Sequence, residues 1–172
     1  MSTSTFNPYH GRPNLNIGIA LFHHLDHRGR LNPHWAIIAH EDDYFGRDAR
    51  IFQIARDETS NWVLRHNTRT VDREDRTLIG IINVGSIMQD RGWLENFASQ
   101  FPAGKNGSDP GALNVWCGAA WVIRFLWGLV LLSVLTLPVP IYEFFGYAKK
   151  TESTVIETRQ LVPNRVAVVN LV

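Results

Sequence analysis

Residues 34–40 read His-Trp-Ala-Ile-Ile-Ala-His, an apolar segment with a histidine at each end. Successive side chains of a β-strand point to opposite faces, so the two histidines would share one face while Trp35 and Ile37 occupy the other. A short apolar run bounded by polar loops is typical of a strand. We therefore predict a strand over 34–40.

Further strands are predicted on both sides of this segment. The runs concerned are short, apolar or rich in β-branched residues, and bounded by polar or glycine-containing turns. They cover residues 15–22, 50–55, 62–66, 78–84 and 165–171. The segment 50–55 follows a polar turn around Gly46, so we expect it to pair with 34–40 as a hairpin.

Helices are predicted in three later segments, over 86–100, from 117 to about 137, and near 142–148. Ser86 would cap the first of them, and Pro138 and Pro140 would close the second. The segment 101–111 is rich in glycine and proline and predicts a mobile loop. Strands and helices in this arrangement predict an α+β fold.

The length and composition fit one ordinary globular domain. The chain has 172 residues, of which 45% are hydrophobic and 19% charged, with a formal net charge of +1. This balance excludes a disordered chain and a basic protein that coats nucleic acid, so no nucleic-acid partner is expected. Residues 1–14 are polar and lack the pattern of a secretory signal, which favours a loose N-terminal arm before a single domain over 15–172.

Cysteine usage indicates the redox environment. Cys117 is the only cysteine, so no intramolecular disulfide can form and the disulfide-rich secreted class is excluded. A reducing compartment such as the cytoplasm is the expected location.

The apolar run 117–137 allows two interpretations, because it is about as long as the ~20 residues that span a bilayer. Arg124 lies inside the run, and a central arginine costs on the order of 3 kcal/mol on membrane insertion. That penalty favours a helix in the protein core. A membrane-anchoring helix is the alternative, and with it a membrane partner bound through 117–137.

Cys117 is the candidate nucleophile. It follows the predicted loop at the start of a predicted helix, where the positive end of the helix dipole favours a thiolate over a thiol. A nucleophilic cysteine also needs a base within hydrogen-bond reach, and that base can come from anywhere in the chain. Seven histidines are available, so this reasoning alone leaves the base open.

Two motifs resemble a known superfamily. They are His-Trp-Ala-Ile-Ile over 34–38 and Asn-Val-Trp-Cys-Gly-Ala-Ala-Trp-Val over 114–122. They resemble the His-Trp-Ala strand and the Cys-led helix of permuted NlpC/P60 (papain-like) proteins, a group that includes lecithin:retinol acyltransferase-like enzymes and a fungal family of uncharacterised small proteins. The resemblance covers roughly His34 to Phe125, about half of the chain. It implies a permuted papain-like fold, with an antiparallel sheet packed against the Cys-led helix.

The resemblance also implies a covalent mechanism. His34 would be the general base for Cys117, in the superfamily's order of histidine before cysteine. Members of the acyltransferase-like branch carry a second histidine on the next strand, where this chain has Gln53. A glutamine can fix the tautomer of an imidazole, but it cannot stabilise an imidazolium as a charged group would.

The implied activity is acyl transfer or thiol-dependent hydrolysis of a small-molecule or peptide carbonyl compound through an acyl-enzyme. Three tryptophans beside the reactive pair would wall an apolar acyl or aromatic substrate: Trp35, Trp116 and Trp121. No cofactor and no metal are part of this expectation.

Two other functions fit the sequence. The first is a catalytically silent member of the same fold that serves as a binding or membrane-associated module, since a lone cysteine is usually a small buried side chain. The second is a metal site at the His-His-Leu-Asp-His cluster over 23–27, because imidazoles and a carboxylate at close spacing bind Zn²⁺ or Cu²⁺. A solvated loop is the simpler interpretation of that cluster.

Overall fold

A computed structural model of the chain describes residues 15–67, 70–105 and 116–171. Within them the chain forms β1 (Leu15–Phe22), β2 (His34–His40), β3 (Arg50–Phe52), β4 (Ile54–Arg56), β5 (Trp62–Leu64), β6 (Leu78–Ile87), α1 (Arg91–Ser99), α2 (Gly118–Leu131), α3 (Ile141–Leu161) and β7 (Ala167–Asn170). The arm predicted over 1–14 and residues 106–111 of the predicted loop lie outside the described residues.

Five of these strands form one sheet, in the order β3-β2-β1-β6-β7. β1 lies between β2 and β6 and pairs antiparallel with both. The predicted hairpin is confirmed, because Ile37 of β2 lies opposite Phe52 of β3. β7 pairs parallel with β6, so the sheet is mixed rather than wholly antiparallel. A parallel pair needs a crossover connection, and here the chain between β6 and β7 includes all three helices; the fold is therefore mixed α+β, as predicted.

Both faces of the central strands are buried. On one face Trp35 and Ile37 share a core cluster with Phe125 of α2. On the other face the segments between strands provide the cover, and Ile38 shares a second cluster with Tyr44. Burial on both faces explains why β1 and β2 are nearly continuous apolar runs.

β6 is longer than predicted, and this moves the start of the next helix. It continues to Ile87 because the first residues of β1 pair with it, Ser86 lying opposite Asn16. The prediction that Ser86 caps a helix is therefore wrong. Asp90 caps α1 instead, and its side chain accepts the backbone N–H of Trp93 at 2.8 Å.

The segment predicted as one strand over 50–55 is divided at Gln53. β3 pairs with β2, whereas β4 leaves that sheet and pairs with β5. Gln53 lies at the break between the two pairings, within hydrogen-bond distance of the first residue of β2, His34. The break thus places the polar side chain of Gln53 next to the first residue of β2.

α2 is a core helix, as predicted, but it ends earlier than expected. Nine of its 14 residues are buried, Arg124 among them. It ends at Leu131, because Ser133 adopts a left-handed backbone conformation (φ 57°) and its N–H donates to the Val130 carbonyl at 2.9 Å. None of the helices among the described residues is long and apolar enough to cross a membrane.

The helix predicted near 142–148 extends over 21 residues as α3. Pro140 immediately precedes its first turn, so this proline begins α3 rather than closing α2. Phe144, Ala148 and Val155 are fully buried along one side of the helix, while much of the rest is polar. Because the buried apolar positions are so few, the hydrophobic periodicity of the sequence does not reveal the full length of the helix.

Candidate active site

Cys117 directly precedes the first residue of α2 and is half-buried. Its backbone is extended (φ −160°, ψ 179°), and its side chain makes no capping hydrogen bond. The first N–H groups of a helix have no partner within the helix, so they present positive charge to this position. The start of α2 can therefore stabilise a negative charge on the Cys117 sulfur or on a group bound to it.

His34, the first residue of β2, lies against the start of α2. Its Nε2 atom is 3.0 Å from the side-chain oxygen Oε1 of Gln53. Gly118 touches the ring from another side, since a Cβ atom at position 118 would be 2.9 Å from Cε1 and 3.0 Å from Nδ1 of His34. The Nδ1 edge therefore adjoins the residue that follows Cys117, and only glycine leaves room for this approach.

The Gln53 contact decides which nitrogen of His34 carries the proton. A carbonyl oxygen only accepts hydrogen bonds, so the bond requires a proton on Nε2. In the neutral ring Nδ1 is then an acceptor. The structure thus brings His34 to Gln53 and to Gly118, the residue that follows Cys117, with an unprotonated ring nitrogen on the side of α2.

Gln53 is held through its main chain as well as its side chain. The residue is buried, with 9% of its surface exposed. Its backbone N–H donates to Nδ1 of His66 at 3.2 Å. A residue held at both places keeps its amide oxygen in a fixed direction, towards His34.

His66 belongs to this site although sequence reasoning missed it. Its Nε2 atom is 3.2 Å from the carbonyl oxygen of Ala98 at the end of α1. Its ring lies edge-on to Phe52, with centroids 5.3 Å apart, and 5.7 Å from the ring of Trp121. Burial lowers the pKa of His66, and the hydrogen bond to Ala98 offsets part of that effect. The sequence carried no signal for this contact beyond the position of His66 at the end of a predicted strand.

The three tryptophans predicted to wall the substrate all have their indole N–H groups engaged. Trp35 and Trp121 are almost fully buried, at 1% and 0% exposure. The Trp35 indole donates to the Glu152 carboxylate at 2.6 Å, and the indoles of Trp121 and Trp116 donate to carbonyls of the 102–104 segment at 3.2 and 2.9 Å. Trp116 is the partly exposed one of the three. Their contact with a substrate stays a prediction.

Arg124 binds the same 102–104 segment. It is 6% exposed, and its guanidinium donates to the carbonyls of Gly104, at 2.8 Å, and of Pro102. The guanidinium also lies over the ring of Trp116, 4.6 Å from the centroid. The arginine within the apolar run thus has main-chain oxygens and an aromatic face as partners, and it ties the 102–104 segment to α2.

The histidine cluster over 23–27 forms an exposed loop. The Asp26 carboxylate accepts the backbone N–H groups of Arg28 and Arg30, at 2.8 and 2.9 Å, and pairs with the Arg30 guanidinium. In the part of the chain that the structure describes, no group of three or more His, Cys, Asp or Glu side chains is arranged to hold a metal ion. The Asp26 carboxylate thus stabilises the turn of its own loop.

Comparisons of the chain with models of protein families, with curated proteins and with solved structures found no match in any of the three. The superfamily resemblance of the two motifs stays a prediction, and the arrangement of Cys117, His34, Gln53 and His66 is the basis for assigning a function.

Proposed function

We propose that the protein is a cysteine-dependent acyl-transfer enzyme, an acyltransferase or a thiol hydrolase. Cys117 is the nucleophile, His34 the general base, and Gln53 the residue that orients His34. The observation that carries this proposal is the position of the His34 ring, bonded to Gln53 through Nε2 and adjoining Gly118 at its Nδ1 edge. A ring held in this way has its basic nitrogen beside the residue that follows the thiol.

The reaction begins when the Cys117 sulfur loses its proton to Nδ1 of His34 and attacks a carbonyl carbon. The carbonyl electron pair moves to oxygen and gives a tetrahedral oxyanion. When the oxyanion collapses, the bond from carbon to the leaving oxygen, nitrogen or sulfur breaks, and His34 returns the proton to the leaving group. Water or an acceptor alcohol or amine then loses a proton to His34 and attacks the thioester, which releases the acyl product and restores Cys117.

The start of α2 is the proposed oxyanion site. Its first N–H groups lack partners within the helix, and the Cys117 side chain does not cap them. A donor of this kind contributes about 10²–10³ in kcat in enzymes that use one. The Gln53 oxygen is bonded to His34, so we assign Gln53 to orienting the base.

A permuted papain-like fold of the NlpC/P60 type is proposed from the same residues. The histidine strand precedes the cysteine helix in the chain, and Trp35 of β2 shares a core cluster with Trp121 of α2. The substrate class is an ester, amide or thioester of a small molecule or peptide, with its acyl part against the exposed part of Trp116. A reducing compartment suits this chemistry, because an oxidised sulfur cannot attack a carbonyl.

The rate of Cys117 alkylation by iodoacetamide at two pH values tests the proposal, because only the thiolate reacts. A free thiol, with a pKa of about 8.5, is about 1% thiolate at about pH 6.5 and about 75% thiolate at about pH 9, so its rate differs about 75-fold between the two. We expect a difference below about tenfold in the wild type and the free-thiol ratio in His34→Ala.

Two further variants sharpen this test. Gln53→Leu keeps the volume but removes the acceptor, so the pH ratio is expected to lie between those of the wild type and His34→Ala. His40→Ala is the matched control, because His40 lies at the other end of β2 and accepts the backbone N–H of Asp42. A thiol that reacts slowly at every pH and is indifferent to His34→Ala would overturn the proposal, and the fold would then serve binding rather than catalysis.

A further inference from the structure

We infer that His66 is a positioning residue of this site, which acts on His34 through Gln53 and does so only while its own ring is neutral. The inference rests on the proposed function of Cys117 and His34. It adds to that function a residue that is linked to His34 through Gln53.

Two hydrogen bonds allow the His66 ring a single tautomer. The Ala98 carbonyl accepts a bond from Nε2 at 3.2 Å, so Nε2 carries a proton. The backbone N–H of Gln53 donates to Nδ1 at 3.2 Å, so Nδ1 carries none. A second proton, on Nδ1, would set one N–H against another and break the bond to Gln53.

Gln53 depends on this bond because it lies between two strand pairings. Its N–H is received by the His66 side chain, and its carbonyl accepts the backbone N–H of Arg65 at 2.9 Å. Residues 65 and 66 therefore hold the main chain of Gln53 on both sides. These two bonds fix the main chain from which the Gln53 side chain extends. They therefore help to set the direction of its amide oxygen, which bonds to the His34 ring.

The elements packed on His66 present apolar and main-chain groups to it. Phe52 meets the ring edge-on, the Trp121 ring lies on α2, and α1 contributes the Ala98 carbonyl. Burial among these groups lowers the pKa of His66, and the hydrogen bond to the Ala98 carbonyl offsets part of that effect. The titratable group nearest along the hydrogen-bond chain is His34, beyond Gln53. The neutral ring that positions Gln53 is thus the favoured state at neutral pH, and acid removes it.

Three variants test this role. His66→Leu has no acceptor for the Gln53 N–H, whereas His66→Asn offers an oxygen near the position of Nδ1 and does not titrate. His40→Leu is the control, since His40 also accepts a backbone N–H through Nδ1, from Asp42 at 2.9 Å, but does so at the far end of β2.

Two results are expected from Cys117 alkylation. At about pH 7 the rate falls at least about tenfold in His66→Leu and stays within about threefold of wild type in His66→Asn and His40→Leu. Between about pH 7 and about pH 5 the wild-type rate falls relative to that of His66→Asn, because only the wild type loses the Gln53 bond to protonation. A constant ratio of these two rates, or a folded Leu variant that reacts like wild type, overturns the inference. If His66→Leu does not fold, the pH dependence of the ratio between the wild-type and His66→Asn rates decides the question alone.

Nitrogen-15 spectra of the histidine rings separate this inference from the proposed function. The share of His34 rings with the proton on Nε2 is expected to drop in His66→Leu, whether or not Cys117 is reactive; an unchanged share overturns the role of His66. If the proposed function fails instead, wild-type Cys117 reacts like a free thiol and ignores His34→Ala.

Discussion

Replacing Gly118 by alanine tests the geometry of the site most directly. The added Cβ would lie 2.9 Å from Cε1 and 3.0 Å from Nδ1 of His34, and 3.1 Å from the carbonyl oxygen of Trp35. The carbonyl belongs to the main chain of β2 and cannot move away, whereas the His34 ring can turn. We therefore expect Gly118→Ala to displace the ring from its 3.0 Å bond to Gln53.

Two opposing contributions set the change in stability. Alanine is favoured over glycine in a helix by up to about 1 kcal/mol, and by less at the first helical position. Overpacking of a buried site costs about 1–3 kcal/mol. The net expectation is a loss of about 0–3 kcal/mol, which corresponds to a Tm lower by up to about 12 °C in a domain of this size. Loss of the oriented base should slow Cys117 alkylation at about pH 7 at least about tenfold.

Gly146→Ala is the matched control for urea unfolding and for alkylation. Gly146 lies within α3, and a Cβ there would meet no atom within 4 Å. We expect this variant to gain about 0.5–1 kcal/mol and to leave the alkylation rate unchanged. If Gly118→Ala gains stability as the control does and Cys117 reacts at the wild-type rate, the packing of His34 on the start of α2 is refuted.

Three further predictions concern the surroundings of the site. Glu152→Leu should lower the free energy of unfolding in urea by about 2–4 kcal/mol, because the buried Trp35 indole loses its acceptor, and Glu152→Gln should cost less because it keeps one. Arg124→Met should cost about 1–3 kcal/mol and expose the 102–104 segment to faster limited proteolysis, since its carbonyls lose a donor. The lowered pKa of His66 means that the unfolded chain binds a proton at a pH where the folded chain does not. The contribution of His66 to the free energy of unfolding is therefore complete above about pH 6.5. It is lost as the pH falls through the pKa of the folded chain. The urea midpoint of the wild type should therefore fall more between about pH 7 and about pH 5 than that of His66→Asn.

Each of these expectations has a contrary outcome. Equal losses in the Leu and Gln variants would show that Glu152 matters for its volume and not as an acceptor. Unchanged cleavage of Arg124→Met near the 102–104 segment would contradict the anchoring role of the guanidinium. Parallel pH profiles of wild type and His66→Asn would mean that His66 titrates alike in the folded and unfolded chains.

β1 and β2 begin and end at the predicted residues because the neighbouring sequence determines where these strands stop. Both faces of these strands are buried, so apolar residues continue until a polar loop interrupts them. The end of β6 depends instead on a partner far away in the chain. Ser86 is a good capping residue by type, but its pairing with Asn16 keeps it in the strand, and no local pattern contains that information.

In the candidate site, too, the contacts signalled by local motifs were predicted, and those that depend on distant pairing were not. The motif resemblance predicted a pair formed by Cys117 and His34 and placed Gln53 beside it, and the structure brings Gln53 to His34. His66 could not be predicted, because its contact requires β4 to leave β2 and pair with β5. The acceptor of the Trp35 indole, Glu152, lies on a helix whose extent the sequence pattern concealed.

The parallel pairing of β6 with β7 has a consequence for synthesis of the chain. Asn83 of β6 and its partner Asn170 of β7 are 87 residues apart. At about 5–20 residues per second, β7 leaves the ribosome roughly 4–17 s after β6. During that interval the outer edge of an isoleucine-rich strand is open to pairing with neighbouring nascent chains. Yield of folded protein should therefore respond to the rate of expression and to chaperone supply.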